Sequence, residues 1–307
     1  MKQLALKIDV DTLRGTLDGV PPLVHMLHKH QAKATFLFSL GPDHTGRALR
    51  RIFRPGFLKK VFRTNVAANY GLKTLMYGVL LPGPDIGRHA APTMRAVRDA
   101  GYEVGIHTWD HIHWQDFVAK QDADWTRHEF VPAVERFREV FGTEPKTFGA
   151  AGWQMNFHAF ELEHEFNMAY ASDTRGTHPF LPEMHGRVFS VPQIPTTLPT
   201  LDELVGVDGI TVDNVAEHLL KLTEGPAPEH GHVYTLHAEL EGMALSPAFE
   251  KLLSGWRAQG YELVATETIA AGLDRKQLPI HTVVMGELPG RSGTLALQAG
   301  LCVPVTV

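Results

Sequence analysis

The chain has 307 residues, of which 44% are hydrophobic and 21% are charged, and this composition excludes a largely disordered protein. Its single cysteine, Cys302, excludes an intramolecular disulfide and a cysteine-rich metal site. The net charge is −5, yet the residues between Asp43 and Asp85 include eight basic side chains and no acidic one. We expect no signal peptide and no transmembrane helix, because no apolar stretch approaches the roughly 20 residues of a membrane span.

Short apolar runs alternate with amphipathic segments along the chain. Eight strands are predicted, at residues 4–9, 34–39, 102–107, 147–151, 169–173, 188–193, 232–237 and 261–265. Helices are predicted at residues 19–30, 126–142 and 246–259, with a capping box at Thr126, a glycine stop at Gly142 and an N-cap at Ser246. The residues after Asp274 are punctuated by glycine and proline and are predicted to be irregular. This alternation predicts a parallel sheet with helical crossovers.

Chemically useful side chains stand at the C-terminal ends of several predicted strands. They are Asp9, Asp11, His107, Trp153, Asp173 and His237. An open doubly wound sheet collects its ligands at one switch point, whereas all the strand ends of a barrel converge on one face. We therefore predict an α/β fold of the distorted (β/α) barrel type, with its active site at the C-terminal ends of the strands. The barrel is assigned to residues 1–275, and a C-terminal extension to residues 276–307.

Two histidines, His107 and His111, follow the apolar run at residues 102–106. Histidines at positions i and i+4 lie on one face of a helical turn, where their imidazoles can bind one metal ion. The chain has 18 histidines, so this spacing also arises by chance, and a solvated pair at a helix start is the alternative.

The first strand ends in Asp9-Val10-Asp11, whose two carboxylates point to the same side of an extended chain. Such a pair is costly to bury without a partner, and a nearby cation would relieve the repulsion. One carboxylate and two histidines are the usual ligands of a catalytic divalent ion, which leaves the other carboxylate free to act as a base. A turn aspartate that caps the next helix is the alternative. His237, after a later apolar run, can serve as a general acid or as a buried histidine without a chemical role.

Together these motifs resemble those of the NodB-type polysaccharide deacetylases, metal-dependent carbohydrate esterases with a distorted (β/α) barrel that remove N- or O-acyl groups from sugars. Between residues 3 and 298 the chain resembles one branch of that superfamily. The runs that carry this resemblance are IDVDTLRGTLDGVPPLV, FSLGPDHTGR, EVGIHTWDHIHWQ, AAGWQ, YASDTRG, QIPTTLPTLDEL and YTLHAELEG. The branch removes the N-formyl group from undecaprenyl-phosphate 4-deoxy-4-formamido-L-arabinose, for lipid A modification and polymyxin resistance in Gram-negative bacteria. The resemblance implies the same substrate and reaction here.

The resemblance also implies roles for individual residues. Asp9 matches the catalytic base and His237 the catalytic histidine that acts as the acid. The matched ligands of one divalent ion (zinc, or cobalt, manganese, iron or nickel) are Asp11, His107 and His111. Asp173 matches an aspartate that helps to orient the site, and the residues implied to bind the substrate are Trp153, Arg14, Arg175 and Glu239.

One family motif departs from its usual form. The family places an arginine, any residue, a proline and then an aromatic residue where this chain has Ala150-Ala151-Gly152-Trp153. The missing arginine leaves open how Asp9 is oriented. Arg175 either takes its place or is a surface turn arginine. The change also argues against a generic chitin or peptidoglycan deacetylase.

A basic segment, assigned to an insertion at about residues 44–84, interleaves cations with large apolar residues. The residues concerned are Arg50, Arg51, Phe53, Arg54, Phe57, Lys59, Lys60, Phe62 and Arg63. This pattern suits an anionic membrane surface, although a solvated helical hairpin would carry it as well. Nucleic acid is not expected, because the protein is acidic overall and has no binding motif. With the lipid-linked substrate, the pattern predicts peripheral attachment to the cytoplasmic face of the bacterial inner membrane.

Two other functions remain open at this stage. One is an amide hydrolase of the same superfamily that acts on another N-acylated sugar or on a small cyclic amide. The other is a barrel without activity that binds polyprenyl-phosphate sugars, against which the intact Asp9 and His237 argue. A serine nucleophile and a P-loop are excluded, because the chain contains neither GxSxG nor a Gly-Lys pair.

Overall fold

Two β-sheets organise the chain in the computed structural model, which describes residues 2–48, 72–291 and 293–299. The strands are β1 (Lys2–Val10), β2 (Thr35–Ser39), β3 (Glu103–Thr108), β4 (Thr147–Phe148), β5 (Tyr170–Ala171), β6 (Leu181–Met184), β7 (Arg187–Val188), β8 (His232–His237), β9 (Tyr261–Val264), β10 (Ile280–Glu287) and β11 (Thr294–Gln298). The larger sheet has the order β5-β4-β3-β2-β1-β8, with β9 also beside β1. All its pairings are parallel, as predicted.

Helices fill the crossovers between these strands. They are α1 (Val20–Lys29), α2 (Leu72–Met76), α3 (Ile86–His89), α4 (Ala91–Asp99), α5 (His111–Phe117), α6 (Ala123–Phe141), α7 (Phe157–Glu165), α8 (Leu201–Leu204), α9 (Val215–Lys221), α10 (Ser246–Ala258) and α11 (Thr266–Ala271). The predicted helix at residues 19–30 is confirmed as α1, and the one at residues 246–259 as α10. Ser246 is the first residue of α10 rather than its N-cap, which is Leu245.

Helix α6 begins earlier than the predicted capping box. The carboxylate of Asp122 caps it by accepting a hydrogen bond from Trp125 N at 3.0 Å, while the Thr126 hydroxyl donates to the carbonyl of Asp122 at 2.7 Å. Asp122 therefore outcompetes Thr126, since aspartate is a strong N-cap. The predicted stop is confirmed, because Gly142 ends α6 with a φ of +71°, which favours glycine.

Strand β1 lies at the centre of the larger sheet. β8 pairs with its residues 4–9 along one edge, while β9 pairs with residues 2–5 and β2 with residues 7–10 along the other. The C-terminal ends of β1, β2 and β8 therefore meet at one face of the sheet.

An irregular segment, residues 193–198, runs between β5 and β8. Ile194 N donates to the carbonyl of Ala171 at 2.8 Å, and Thr197 N donates to that of Val233 at 3.0 Å. This segment curls the sheet into a distorted barrel, which confirms the predicted fold class. The strand predicted at residues 188–193 is wrong, because only Val188 lies in a strand, β7, and that strand belongs to the smaller sheet.

The side chains of β1 alternate between two environments. Leu6, Ile8 and Val10 pack into the main hydrophobic core, whereas Lys7 and Asp9 point the other way and are 0% and 3% exposed. A strand that is buried on both faces thus carries two charged side chains on its inner face. These charges need partners inside the barrel.

The C-terminal tail was expected to be irregular, but it contains two strands. β10 and β11 pair antiparallel, and β10 pairs in parallel with β6 to form the smaller sheet. The side chain of Gln298 accepts a hydrogen bond from Thr177 N at 2.8 Å, and Arg175 N donates to the carbonyl of Ala296 at 2.9 Å. These contacts tie the tail to the loop that follows β5. The division of the chain at residue 275 stays a prediction.

The basic segment lies outside the described residues. This applies to each of its named members: Arg50, Arg51, Phe53, Arg54, Phe57, Lys59, Lys60, Phe62 and Arg63. Of the predicted insertion at residues 44–84, the structure describes residues 44–48 and 72–84. Among the described helices, none is long and apolar enough to cross a membrane.

Candidate active site

The C-terminal ends of β1 and β3 and the start of α5 bring three predicted metal ligands together. His107 Nε2 lies 3.3 Å from Asp11 Oδ1, and His111 Nε2 lies 3.4 Å from Asp11 Oδ2. Within the described parts of the chain, these three residues are the group found with at least three ligand atoms within 4.8 Å of one another. Asp11 and His107 are buried, and His111 is partly exposed. The predicted triad therefore assembles in the structure.

The imidazole of His107 is oriented by a backbone carbonyl. Its Nδ1 lies 2.5 Å from the carbonyl oxygen of Gly149, which can only accept a hydrogen bond. Nδ1 therefore carries the proton, and Nε2 is left with a free lone pair that faces Asp11. This is the tautomer that a metal-binding histidine needs.

Glu239 binds the backbone of Asp11 and Thr12, at the start of the loop that follows β1. Its Oε1 accepts hydrogen bonds from Asp11 N at 3.0 Å, Thr12 N at 2.9 Å and the Thr12 hydroxyl at 2.7 Å. A Cβ at Gly15 would lie 1.9 Å from the same oxygen, so this glycine makes room for the carboxyl group. Burial and the nearby Asp11 raise the pKa of Glu239 well above its ordinary value. Glu239 thus shapes the loop, and its predicted contact with substrate stays a prediction.

The charged groups of the triad shift one another's pKa values. Burial would raise the pKa of Asp11, but His111, His107 and His237 hold it well below its ordinary value. Burial would lower the pKa of His107, but the carboxylates of Asp9 and Asp11 raise it. Among the described residues, Asp9 Oδ1 and Asp11 Oδ1 are buried and have no hydrogen-bond partner. Two orphaned carboxylate oxygens beside two imidazoles fit a divalent cation.

The predicted base and acid flank the triad on adjacent strands. Asp9 of β1 is in register with His237 of β8, and Ala238 N donates to the carbonyl of Asp9 at 3.0 Å. Asp9 Oδ1 lies 4.0 Å from His107 Nδ1. His237 is partly exposed, whereas Asp9 is buried. The two groups therefore lie side by side at the same end of the barrel.

Asp173 is fully buried and binds the segment that follows β4. Its Oδ1 accepts a hydrogen bond from Ala150 N at 2.7 Å, and its Oδ2 accepts one from the Gln193 side chain at 2.8 Å. Burial raises the pKa of Asp173, and burial together with the Asp173 charge raises that of neighbouring Glu163 well above its ordinary value. Asp173 thus anchors the segment whose Gly149 carbonyl orients His107. The orienting role of Asp173 stays a prediction.

Arg175 takes neither of the two predicted places. It is buried, so it is not a surface turn arginine, and its guanidinium donates to Glu203 Oε1 at 2.6 Å and to the carbonyl of Leu198 at 3.0 Å. The Glu203 carboxylate therefore binds the charge that, in one of the two alternatives, would orient Asp9. Trp153 is 1% exposed and donates to the Thr196 hydroxyl at 3.2 Å.

Arg14 and Asp18 form a partly exposed ion pair at 3.6 Å. The substrate-binding roles of Arg14, Arg175 and Trp153 stay predictions. The residue that sequence reasoning missed is Lys7, whose Nζ lies 3.3 Å from Asp9 Oδ2. Its signal was a charge within the apolar run at residues 4–8, two residues before Asp9.

Glu241 makes folding stability depend on pH. Burial raises its pKa to about 7, although His237 and hydrogen bonds from His237 N and the Tyr234 hydroxyl act in the opposite direction. Its carboxyl group therefore binds a proton more tightly in the folded than in the unfolded chain. The contribution of Glu241 to folding stability should be largest below about pH 4.5, fall by about 3 kcal/mol as the pH rises to about 7, and then level off.

Urea unfolding of the wild type and of Glu241→Gln at pH 5 and pH 8 measures this effect. We expect the variant to gain stability relative to the wild type between the two pH values. Glu262→Gln, on the exposed side of β9, is the matched control and should show no such gain. Equal pH dependence in all three proteins would contradict the assignment.

The family model described as polysaccharide deacetylase matches residues 2–171 of this chain, which include Asp9, the three predicted ligands and Gly149. The chain belongs to the polysaccharide deacetylase family. A solved structure described as a polysaccharide deacetylase from Mycobacterium smegmatis has the same fold, with a TM-score of 0.63 and 18% identity. That comparison covers 94% of this chain and 96% of the other.

Two relatives within the family extend over nearly the whole chain. A protein of Shewanella sediminis is 36% identical over 301 residues, which are 97% of this chain and 95% of its own length. A protein of Wigglesworthia glossinidia brevipalpis is 32% identical over 286 residues, which are 92% of this chain and 98% of its own length. Both carry the name "Probable 4-deoxy-4-formamido-L-arabinose-phosphoundecaprenol deformylase ArnD".

Proposed function

We propose that this protein is a metal-dependent hydrolase that removes the N-formyl group from undecaprenyl-phosphate 4-deoxy-4-formamido-L-arabinose. The observation that carries the proposal is the 36% identity over 97% of the chain to a relative named for this deformylation. The site geometry supports it, because three ligands, a carboxylate and a histidine occupy one end of the barrel. The products are formate and the free amino sugar on its lipid carrier.

Asp11, His107 and His111 are the residues that would hold the divalent ion. An ion bound there would polarise the amide carbonyl and make a neighbouring water easier to deprotonate. A carboxylate with two imidazoles accepts zinc as well as cobalt, manganese, iron or nickel, and we propose one ion of this group. Because His107 already has its Nδ1 bound to Gly149, little reorganisation of that ligand is needed.

The acid–base chemistry falls to Asp9 and His237. Asp9 would take a proton from the attacking water as the new C–O bond forms at the formyl carbon. His237 would then donate a proton to the amide nitrogen as the C–N bond breaks. One group must begin deprotonated and the other protonated, and their positions on adjacent strands allow both to reach a substrate in the same cleft.

The decisive assay measures formate released from the synthetic lipid-linked formamido sugar, with and without a chelator. We expect release that stops on chelation and returns when a divalent ion is added back. The N-acetyl analogue tests the second candidate, a deacetylase for another N-acylated sugar, which the family membership favours. Acetate release without formate release would replace the proposed function with that candidate, and a chain that turns over neither substrate would contradict both.

We also propose that the protein attaches peripherally to the cytoplasmic face of the inner membrane. The basic residues at positions 50–63 supply the cations. The described part of the same predicted insertion includes an apolar turn of Val79, Leu80 and Leu81, which are 53%, 76% and 37% exposed. Three consecutive exposed apolar side chains are unusual on a free surface and suit insertion between lipid headgroups.

Changing Arg50, Arg51, Lys59 and Lys60 to glutamine is expected to weaken binding to anionic vesicles by at least about tenfold, because each cation near such a surface contributes about 1 kcal/mol. Vesicle co-sedimentation at low salt measures this. The matched control changes four exposed cations elsewhere, Lys29, Arg88, Lys120 and Lys251, to the same residue. Equal binding of the two variants to the vesicles would contradict membrane attachment through the basic segment.

A further inference from the structure

A buried lysine sits in the middle of the inner face of β1. Lys7 is 0% exposed, and its Nζ lies 3.3 Å from Asp9 Oδ2. Residues i and i+2 of a strand point to the same side, so the strand itself places this ammonium beside the carboxylate. Lysine is almost never fully buried unless it is paired. Within the described chain, Asp9 is the hydrogen-bond partner of the Lys7 ammonium.

The surroundings of Lys7 hold its side chain in one place. A Cβ built at Gly149 would lie 3.1 Å from Lys7 Cε and 2.3 Å from Leu37 Cδ1, so the lysine occupies space that a larger residue would take. On another side the ring of Trp153 lies 5.2 Å from Lys7 Nζ, within the range of a cation–π contact. The ammonium is therefore fixed by packing and not only by its charge.

The ion pair with Lys7 gives the two carboxylate oxygens of Asp9 different surroundings. Oδ2 binds Lys7, whereas Oδ1 is buried, lies 4.0 Å from His107 Nδ1 and has no hydrogen-bond partner among the described residues. The oxygen that remains free is thus the one on the side of the ligand His107. A carboxylate held in this way keeps one lone pair available for a proton from water.

We propose that Lys7 is the positioning residue for Asp9: by binding Oδ2, it directs Oδ1 towards the reacting water. This inference rests on the proposed function, in which Asp9 is the base. Lys7 is not one of the three clustered ligands, and in this proposal it acts through Asp9. Lys7 thus orients Asp9 in place of Arg175, whose guanidinium binds Glu203 instead.

Lys7→Met keeps the length of the side chain but removes its charge, so Asp9 loses its partner. We expect kcat to fall by about 100-fold or more, with KM and metal content unchanged to within about twofold. Lys7→Arg restores a cation and is expected to recover most of the lost kcat. The matched control is Lys2→Met on the same strand, where Lys2 donates to the carbonyl of Gly225 near the surface, and it should behave like the wild type.

A double variant separates positioning from a merely structural role. If Lys7 acts only through Asp9, then adding Lys7→Met to Asp9→Asn should change kcat by less than about twofold. The double variant removes both charges of the Lys7–Asp9 pair, so neither is left without the other, and it can be measured even where Lys7→Met alone does not fold. A full additional loss in the double variant, or a folded, metal-loaded Lys7→Met with wild-type kcat, would overturn the inference. A wild-type protein that releases no formate would instead contradict the proposed function.

Discussion

Asp9→Asn is expected to lower kcat by about 10³-fold while leaving the metal content unchanged. Asparagine has the shape of aspartate and can still accept a hydrogen bond from Lys7, but it cannot take a proton from water. Asp9 Oδ1 lies 4.0 Å from His107 Nδ1 and is not one of the three clustered ligands, so the ion should remain. Steady-state formate release and elemental analysis of the purified variant measure the two quantities.

The control for this variant is Asp18→Asn, which makes the same change at an exposed aspartate that pairs with Arg14. It should retain wild-type activity. An Asp9→Asn protein that keeps full activity would remove Asp9 from the role of base. A variant that instead loses its metal would show that Asp9 binds the ion, and the assignment of Asp11 as the aspartate ligand would then need revision.

His111→Ala is expected to reduce the bound metal to well below one ion per chain and to lower activity by about 10³-fold or more. The substitution removes one of three protein ligands, and two ligands hold a divalent ion far more weakly than three. His111 lies at the first turn of α5, and its Nε2 is 3.4 Å from Asp11 Oδ2. Metal content after dialysis, and activity during titration with excess metal, measure the effect.

The matched control lies on the same helix. His113→Ala removes a histidine whose Nδ1 contacts Glu129 at 2.9 Å, away from the triad. We expect it to keep both metal and activity. Equal loss of metal in the two variants would indicate a general disturbance of α5, and full metal content in His111→Ala would exclude His111 as a ligand.

The parts of the fold that could be predicted are those with strong local signals. The apolar runs of β1, β2, β8 and β9 were located to within about two residues, as periodicity allows for strands buried on both faces. The ligand triad was also predictable, because the C-terminal ends of parallel strands meet at one face and two histidines one turn apart share one side of a helical turn.

Other features depend on tertiary contacts that no local pattern reports. Residues 193–198 complete the barrel by bonding to β5 and β8 without forming a regular strand. β10 and β11 exist because they pair with each other and with β6. Lys7 interrupts an apolar run, and the local pattern gives no reason for a charge there. The reason is the ion pair with Asp9, two residues later in the same strand. Departures from local consistency of this kind are typical of functional sites.

The central place of β1 in the larger sheet has a consequence for biosynthesis. This strand leaves the ribosome well before its partners β8 and β9, which lie between residues 232 and 264. Until β8 and β9 have been synthesised, β1 has an unpaired edge, because these partners are more than 200 residues away in the chain. We expect the nascent protein to fold late, to need protection from aggregation during translation, and to refold slowly from urea.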